Sequence, residues 1–255
     1  SLLGLISHEY FHSWNVKRIR PAAFVPYDLA RERYTRQLWA FEGITSYYDD
    51  LALLRSGVID AESYLELLGR TASAVLRTPG RRVQSVADAS FDAWIKYYRP
   101  DENTPNAGVS YYAKGALVAL ALDLTLRRDG SSLDALMREL WRRHGETGVG
   151  VPEDGIAPLA SALAGRDLSG FFAAFVDGTD ELPLAELLGS IGVTLALRPS
   201  QGPKDRGGTR GSGEAPRTAL GATWSAELRL QHVFAGGAAQ AAGLAAGDTL
   251  VALDG

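Results

Sequence analysis

The 255-residue sequence contains no cysteine. This absence excludes disulfide bonds, thiol catalysis and thiolate metal ligands, so a metal would have to be held by histidine or carboxylate side chains. It does not indicate a compartment, because cytoplasmic and periplasmic proteins can both lack cysteine. No signal peptide is visible, and we expect a soluble protein whose location, cytoplasm or periplasm, stays open.

Long apolar runs and an excess of positive charge are missing as well. The most apolar stretch, 115–126, is short and contains Asp123, which favours a buried helix over a transmembrane segment. The 26 Lys and Arg against 30 Asp and Glu give a net charge of −4. Without a sustained basic patch, neither nucleic acid nor an anionic membrane is an expected partner.

What the sequence does contain is a His-Glu-x-x-His motif at His8, Glu9 and His12. On a helix, the two histidines lie one turn apart on the same face and can bind one tetrahedral zinc ion. Glu9 is then placed to act as a general base. The alternative is an amphipathic helix whose exposed face carries two polar residues.

A zinc site of this type needs a third protein ligand, and Glu42 is the candidate. It lies in the aromatic segment 38–48, at the predicted start of a second helix. A carboxylate among aromatic side chains is costly to bury unless it is paired or bound to a cation. The alternative is a partly exposed glutamate favoured by the dipole at the helix start.

These motifs carry a family resemblance. The run 8–15, followed by Trp39-x-x-Glu42-Gly43, resembles the gluzincins and, more narrowly, the glycyl aminopeptidase family of PDZ-containing zinc peptidases. Ser110-Tyr111-Tyr112-Ala113-Lys114-Gly115 adds the Tyr-x-Lys-Gly element of that family. The resemblance extends from Ser1 to about Leu197 and continues more weakly to the end of the chain.

The resemblance implies one zinc per chain, held by His8, His12 and Glu42, with Glu9 as the catalytic base. It also implies that the Tyr112 phenol donates a hydrogen bond to the oxyanion of the tetrahedral intermediate, which is physically sensible for a preorganised donor. Tyr112 could instead be a core tyrosine with a satisfied hydroxyl. Tyr111 is the better candidate for a core position.

The expected fold class is mainly α. Residues 1–192 are predicted to form a thermolysin-like, gluzincin-type helical catalytic body, and 193–255 a linker and a small, β-rich, partial PDZ domain. Helical periodicity recurs up to about Gly192. The predicted helices are one ending before Pro21, then 39–55, 60–78, 87–98, 110–129 and 132–144, and three more that begin at Pro152, Asp167 and Pro183.

The tail carries the PDZ-like pattern. Strands are predicted at 193–197, 228–235 and 249–253, and a flexible linker at 200–217. Ala242-Gly243-Leu244-x-x-Gly247-Asp248 resembles the turn of bacterial protease PDZ modules. The alternative is a generic Gly/Ala-rich β-hairpin region. Because Ser1 leads straight into the metal motif and the chain stops at Asp254-Gly255, we expect an excerpt of a longer protein.

Several other polar residues have simpler interpretations. His144 is predicted to end a helix and His232 to lie in a tail strand, so neither is expected to bind the metal. The pair Asp49-Asp50 is interpreted as an exposed helix face, with support of a metal ligand as the alternative. Trp14 and Asn15 are expected to pack around the site.

The function predicted from these residues is that of a zinc-dependent peptidase acting on peptide substrates. The resemblance alone implies an aminopeptidase that favours small N-terminal residues such as Gly or Ala. Two alternatives stay open: a noncatalytic, PDZ-based peptide-binding protein with a scaffold zinc site, and a zinc endopeptidase. The PDZ domain could bind a peptide or protein ligand in either case.

Overall fold

The structure, a computed structural model, describes residues 2–202, 204–211 and 218–253. These residues are mainly helical, as predicted, with one small two-stranded sheet. The α-helices are α1 (Leu2–Phe11), α2 (Leu38–Phe41), α3 (Gly43–Arg55), α4 (Ala61–Leu76), α5 (Val86–Phe91), α6 (Thr104–Ala107), α7 (Ala113–Arg128), α8 (Leu133–Leu140), α9 (Ile156–Ala164), α10 (Ser169–Phe172), α11 (Leu184–Gly189) and α12 (Ala238–Ala241).

Shorter helical turns of other pitch complete the body. Residues Ala22–Phe24 and Pro79–Arg82 form 3-10 turns. π-helical turns follow three of the α-helices, at Ala93–Tyr97, Trp141–Gly145 and Ala173–Asp177.

Side-chain caps explain why several helices begin where the sequence predicts. Asp60 accepts a hydrogen bond from the Ser63 amide at the start of α4, and Ser132 caps α8 in the same way. Before α7, Ser110 Oγ accepts from the Ala113 amide. The first helix is shorter than predicted. It is expected to continue to just before Pro21, but α1 ends at Phe11 and the chain then turns through Val16, whose φ is 138°.

Helix α7 is the centre of the hydrophobic core and is buried along nearly its whole length. It packs against α3 and α4, and α1 also packs against α3. Gly43 and Gly115 allow α3 and α7 to approach backbone to backbone, since a Cβ on Gly43 would lie 2.6 Å from the Gly115 Cα. The large side chains that are most fully buried include Tyr111, Phe41, Ile19, Ile44, Leu117 and Leu122.

Asp123, the charged residue inside the apolar stretch, is buried in α7 and connects three helices. Its carboxylate accepts hydrogen bonds from the Tyr47 hydroxyl of α3 (2.7 Å) and from the Leu133 amide at the start of α8 (2.7 Å). Arg127 Nε donates a third bond at 2.9 Å. These three hydrogen bonds therefore compensate for the burial of the Asp123 charge.

The tail contains the sheet. Strand β1 (Ala222–Trp224) pairs antiparallel with β2 (Leu230–Val233), with an irregularity between Thr223 and Trp224. The predicted strand at 249–253 is reduced to a single bridge between Thr249 and Arg229. Neither the PDZ assignment nor the boundary at residue 192 is tested by this sheet, and both stay predictions.

The predicted strand at 193–197 is wrong. This segment has no regular secondary structure and pairs with no strand among the residues that the structure describes. Val193 and Leu195 pack against the helical core instead. Their alternation with exposed residues thus reflects one edge of the helical body and not a sheet.

The predicted linker also packs against the body where the structure describes it. Asp205 forms an ion pair with Arg77 at the end of α4 (3.9 Å), and Gly208 lies so close to α4 that a Cβ on Gly69 would be 2.7 Å from its Cα. Residues 203 and 212–217 of the predicted linker lie outside the described residues, as do Ser1, Asp254 and Gly255. No helix in the described ranges is long and apolar enough to cross a membrane.

Candidate metal centre

The C-terminal end of α1 and the junction between α2 and α3 bring His8, His12 and Glu42 together. The Glu42 Oε2 atom lies 3.3 Å from His8 Nε2 and 3.2 Å from His12 Nε2. All three potential ligand atoms lie within 4.8 Å of one another, and this is the one such group of His, Cys, Asp and Glu found in the described part of the chain. Each of the three side chains is mostly buried.

The other nitrogen of each imidazole is also engaged. His8 Nδ1 lies 3.3 Å from Asp49 Oδ2, and His12 Nδ1 lies 2.8 Å from the Asn15 carbonyl oxygen. Both partners are acceptors, so each Nδ1 carries a proton, and Nε2, which faces Glu42, is the nitrogen that a metal would use. Of the two interpretations of Asp49, the structure favours support of a ligand.

Asn15 fixes the chain on both sides of the cluster. Its side chain is only 2% exposed, and its Nδ2 group lies within hydrogen-bond distance of the carbonyl oxygens of Ala40 and Phe41, and of Thr45 Oγ1. These acceptors flank Glu42, at the break between α2 and α3. Asn15 therefore supports His12 through its backbone and Glu42 through its side chain.

The electrostatics of the cluster are those of a strong ion pair. Hydrogen bonds with Asp49 and then Glu42 raise the pKa of His8 to about 9. Burial alone would raise the pKa of Glu42, but the hydrogen bonds from His12 and His8 outweigh burial and hold it at about 2. Because a metal binds neutral imidazole and ionised carboxylate, metal binding and imidazole protonation compete at this site.

The donor set fits a zinc ion. Ligand atoms about 2.0–2.1 Å from a tetrahedral zinc are roughly 3.3 Å apart, close to the 3.2 and 3.3 Å separations between Glu42 and the two histidines. Two imidazoles and one carboxylate also match the ligand set of catalytic zinc sites, which keep one position open.

Glu9 and Tyr112, the two residues predicted to be catalytic, border the cluster. Glu9 lies on α1 between the histidines and is exposed, and its side chain forms no hydrogen bond or ion pair with the described residues. The Tyr112 ring centroid lies 6.2 Å from that of His8, just before α7 begins. Burial and the charge of Glu42 raise the pKa of Tyr112, so its phenol stays protonated at neutral pH.

The remaining candidates lie apart from the cluster. Tyr111 is 1% exposed, as expected for a core residue. His144 Nδ1 pairs with the Val149 carbonyl, and His232 Nδ1 with Thr223 Oγ1. Sequence reasoning missed Tyr98, which contacts the Tyr112 hydroxyl, because no motif marks it.

The chain is similar to proteins of known family. The profile of the M61 glycyl aminopeptidase family matches residues 1–118. The chain is similar to the crystal structure of an aminopeptidase N family protein from Idiomarina loihiensis, with a TM-score of 0.91 and 43% identity over 98% of this chain. It spans 44% of the length of that protein. No curated protein matches the chain.

The chain is thus similar to peptidases in its first half and in its fold. More narrowly, the resemblance to the glycyl aminopeptidase family is confirmed over residues 1–118. This segment contains His8, Glu9, His12, Glu42 and Tyr112.

Proposed function

We propose that the protein is a zinc-dependent peptidase in which His8, His12 and Glu42 hold one zinc ion. The observation that carries this proposal is the convergence of two imidazole nitrogens and one carboxylate oxygen within 4.8 Å. The hydrogen bonds that Asp49 and Asn15 accept from the histidines support it, because they orient both Nε2 atoms toward Glu42.

Bound zinc would supply a Lewis acid that polarises the substrate carbonyl and promotes ionisation of a water molecule. In the proposed reaction, the Glu9 carboxylate accepts a proton from the attacking water and passes it to the leaving amine. Glu9 suits this role because it is exposed beside the cluster and carries no structural ion pair. The Tyr112 hydroxyl donates a hydrogen bond to the oxygen on which negative charge develops.

For the substrate, we propose a peptide with a free amino terminus and a small first residue, Gly or Ala. The support for this preference is the family match alone. Blocked and free-amine peptides of the same sequence test the requirement for a free amino terminus. Hydrolysis of the free-amine peptide only would support an aminopeptidase, and equal hydrolysis of both would indicate an endopeptidase.

The test of the metal site is zinc stoichiometry, measured by metal analysis on the wild type and on His8→Ala, His12→Ala and Glu42→Ala. We expect one zinc per chain in the wild type and a sharply weakened affinity in each variant. His144→Ala is the matched control, since His144 lies outside the cluster. A wild type that binds no zinc after reconstitution would contradict the proposal and favour peptide binding by the tail.

A further inference from the structure

Four tyrosines form one cluster beside the metal centre. Tyr97 and Tyr98 come from the π-helical turn after α5 and the residue that follows it, and Tyr111 and Tyr112 come from the segment before α7. The rings of Tyr111 and Tyr112 stack at 4.7 Å, and Tyr97 contacts both. Hydrophobic packing accounts for the rings but not for the arrangement of the hydroxyl groups.

Three of the hydroxyl groups form a chain. The buried Tyr111 hydroxyl donates to the Tyr98 hydroxyl at 3.3 Å, and the Tyr98 hydroxyl lies 3.2 Å from that of Tyr112. Tyr98 is therefore the link between a fixed core donor and the phenol that borders the metal centre. The Tyr97 hydroxyl points elsewhere, toward Ser110 Oγ at 3.4 Å.

Either hydroxyl of the Tyr98–Tyr112 pair can be the donor, and we assign that role to Tyr98. Each phenol has one proton to donate and can accept other bonds. Since Tyr98 accepts from Tyr111, its own proton is available for the Tyr112 oxygen. Tyr112 then keeps its proton free for the substrate. Hydrogen bonds in such a chain polarise one another, so the donor at its end is strengthened.

The location of Tyr98 also favours a functional role over a packing role. Its side chain is 63% exposed, so burial of its ring contributes little to the core. It directly follows the turn Ala93–Tyr97, and π-helical turns occur frequently at functional sites.

We propose that Tyr98 is a positioning residue for the reaction: it holds and polarises the Tyr112 hydroxyl through a directed chain of phenols that begins at Tyr111. This inference rests on the proposed peptidase function, because Tyr112 must have an oxyanion to serve. Tyr98 itself does not contact the substrate in this scheme.

The experiment compares kcat and KM for Tyr98→Phe, Tyr112→Phe and the double variant with the wild type, at saturating zinc. Loss of one hydrogen bond predicts that Tyr98→Phe lowers kcat about 3- to 10-fold and leaves KM unchanged. In the Tyr112→Phe background, the same change should have no further effect, because the phenol that it positions is gone. Tyr97→Phe is the matched control and should retain wild-type kcat.

Each outcome decides between the possibilities. Suppose the wild type is active. An unchanged kcat in Tyr98→Phe, or a kcat loss in the double variant equal to the product of the losses in the two single variants, then overturns the role of Tyr98 and leaves the peptidase proposal intact. A wild type that binds zinc but hydrolyses no peptide rejects the proposed function, and the role of Tyr98 with it. Because Tyr98→Phe also removes the acceptor of Tyr111, all rates are measured well below the Tm of each variant.

Discussion

Gly43 and Gly115 touch backbone to backbone at the point where α3 crosses α7. A Cβ on Gly43 would lie 2.6 Å from the Cα and carbonyl carbon of Gly115, and a Cβ on Gly115 would lie 2.8 Å from the Trp39 carbonyl oxygen. Gly43 directly follows Glu42, and Gly115 lies three residues after Tyr112. This contact therefore sets the distance between a candidate metal ligand and a candidate catalytic residue.

Gly43→Ala should separate these two helices. We expect a loss of about 1–3 kcal/mol in the free energy of unfolding, as for other overpacked cores, together with weaker zinc binding. Urea unfolding and zinc titration measure the two effects. The matched control is Gly189→Ala in α11, whose Cβ would meet nothing within 4 Å and which should be neutral or slightly stabilising. Equal stability of Gly43→Ala and the wild type would contradict the prediction.

Asp49→Asn should lower zinc affinity about 10- to 100-fold, because the amide no longer fixes the His8 tautomer as a carboxylate does. Competition with a chelator of known affinity measures the change. Asp50→Asn, one residue further on α3, is the control and should keep the affinity of the wild type. A normal affinity in Asp49→Asn would show that the 3.3 Å contact does not orient His8.

Glu9→Gln should retain zinc and lose most turnover. Glutamine has nearly the same shape as glutamate but cannot accept the proton of the attacking water. Metal analysis and peptide hydrolysis on the same preparation check both halves of this expectation. Loss of zinc in Glu9→Gln would assign Glu9 to metal binding instead of proton transfer.

The stability of the protein should depend on pH through Asp50. Burial and the neighbouring charge of Asp49 raise the pKa of Asp50 to about 6, above the value of about 3.9 for an unfolded chain. The folded state then binds the proton more tightly, so the stabilising contribution of Asp50 is present below about pH 4 and is lost as pH rises through 6.

Asp50→Asn does not titrate, and its advantage over the wild type should therefore grow between pH 4 and 7. The shift corresponds to about 3 kcal/mol at most, and we expect about 1 kcal/mol because the carboxyl is only half-buried. Urea unfolding at several pH values, with EDTA present throughout, measures the difference. A difference that stays constant over this range would contradict the raised pKa.

Asn106 should control how firmly the tail is attached to the helical body. Its Nδ2 donates to the Val233 carbonyl oxygen and its Oδ1 accepts from the Ala235 amide, both at 2.8 Å. Asn106→Ala removes both bonds, and the Ala235 amide should exchange hydrogen about 10-fold faster. Asn103→Ala, which removes only the local bond to Asn106, is the control. Unchanged exchange in Asn106→Ala would mean that other contacts hold the tail.

Local patterns in the sequence were sufficient to predict most of the helices. Asp60 and Ser132 are N-caps in the structure because a short polar side chain that precedes an apolar periodic run satisfies free amides at a helix start. The His8–His12 spacing likewise depends only on the geometry of one helix. These features could be predicted because each depends on residues close in the chain.

Features that depend on how helices cross could not be predicted in the same way. Asp49 reaches His8 only because α1 packs across α3, and Tyr98 reaches Tyr112 only because the turn after α5 lies beside the start of α7. The wrong strand at 193–197 has the same origin. Alternating exposure is produced there by the edge of a helical body, which the sequence pattern alone does not distinguish from a sheet.

In the proposed zinc site, the contacts of Asn15 with both sides of the cluster would link metal loading to the folding equilibrium. An ion held by His8, His12 and Glu42 would reinforce the same junction that Asn15 closes, and it would bind only when that junction is formed. A ligand that binds only the native state adds RT ln(1 + [L]/Kd) to the free energy of unfolding. The melting temperature is then a continuous function of the free zinc concentration, so that thermal denaturation reports the occupancy of the site without any substrate.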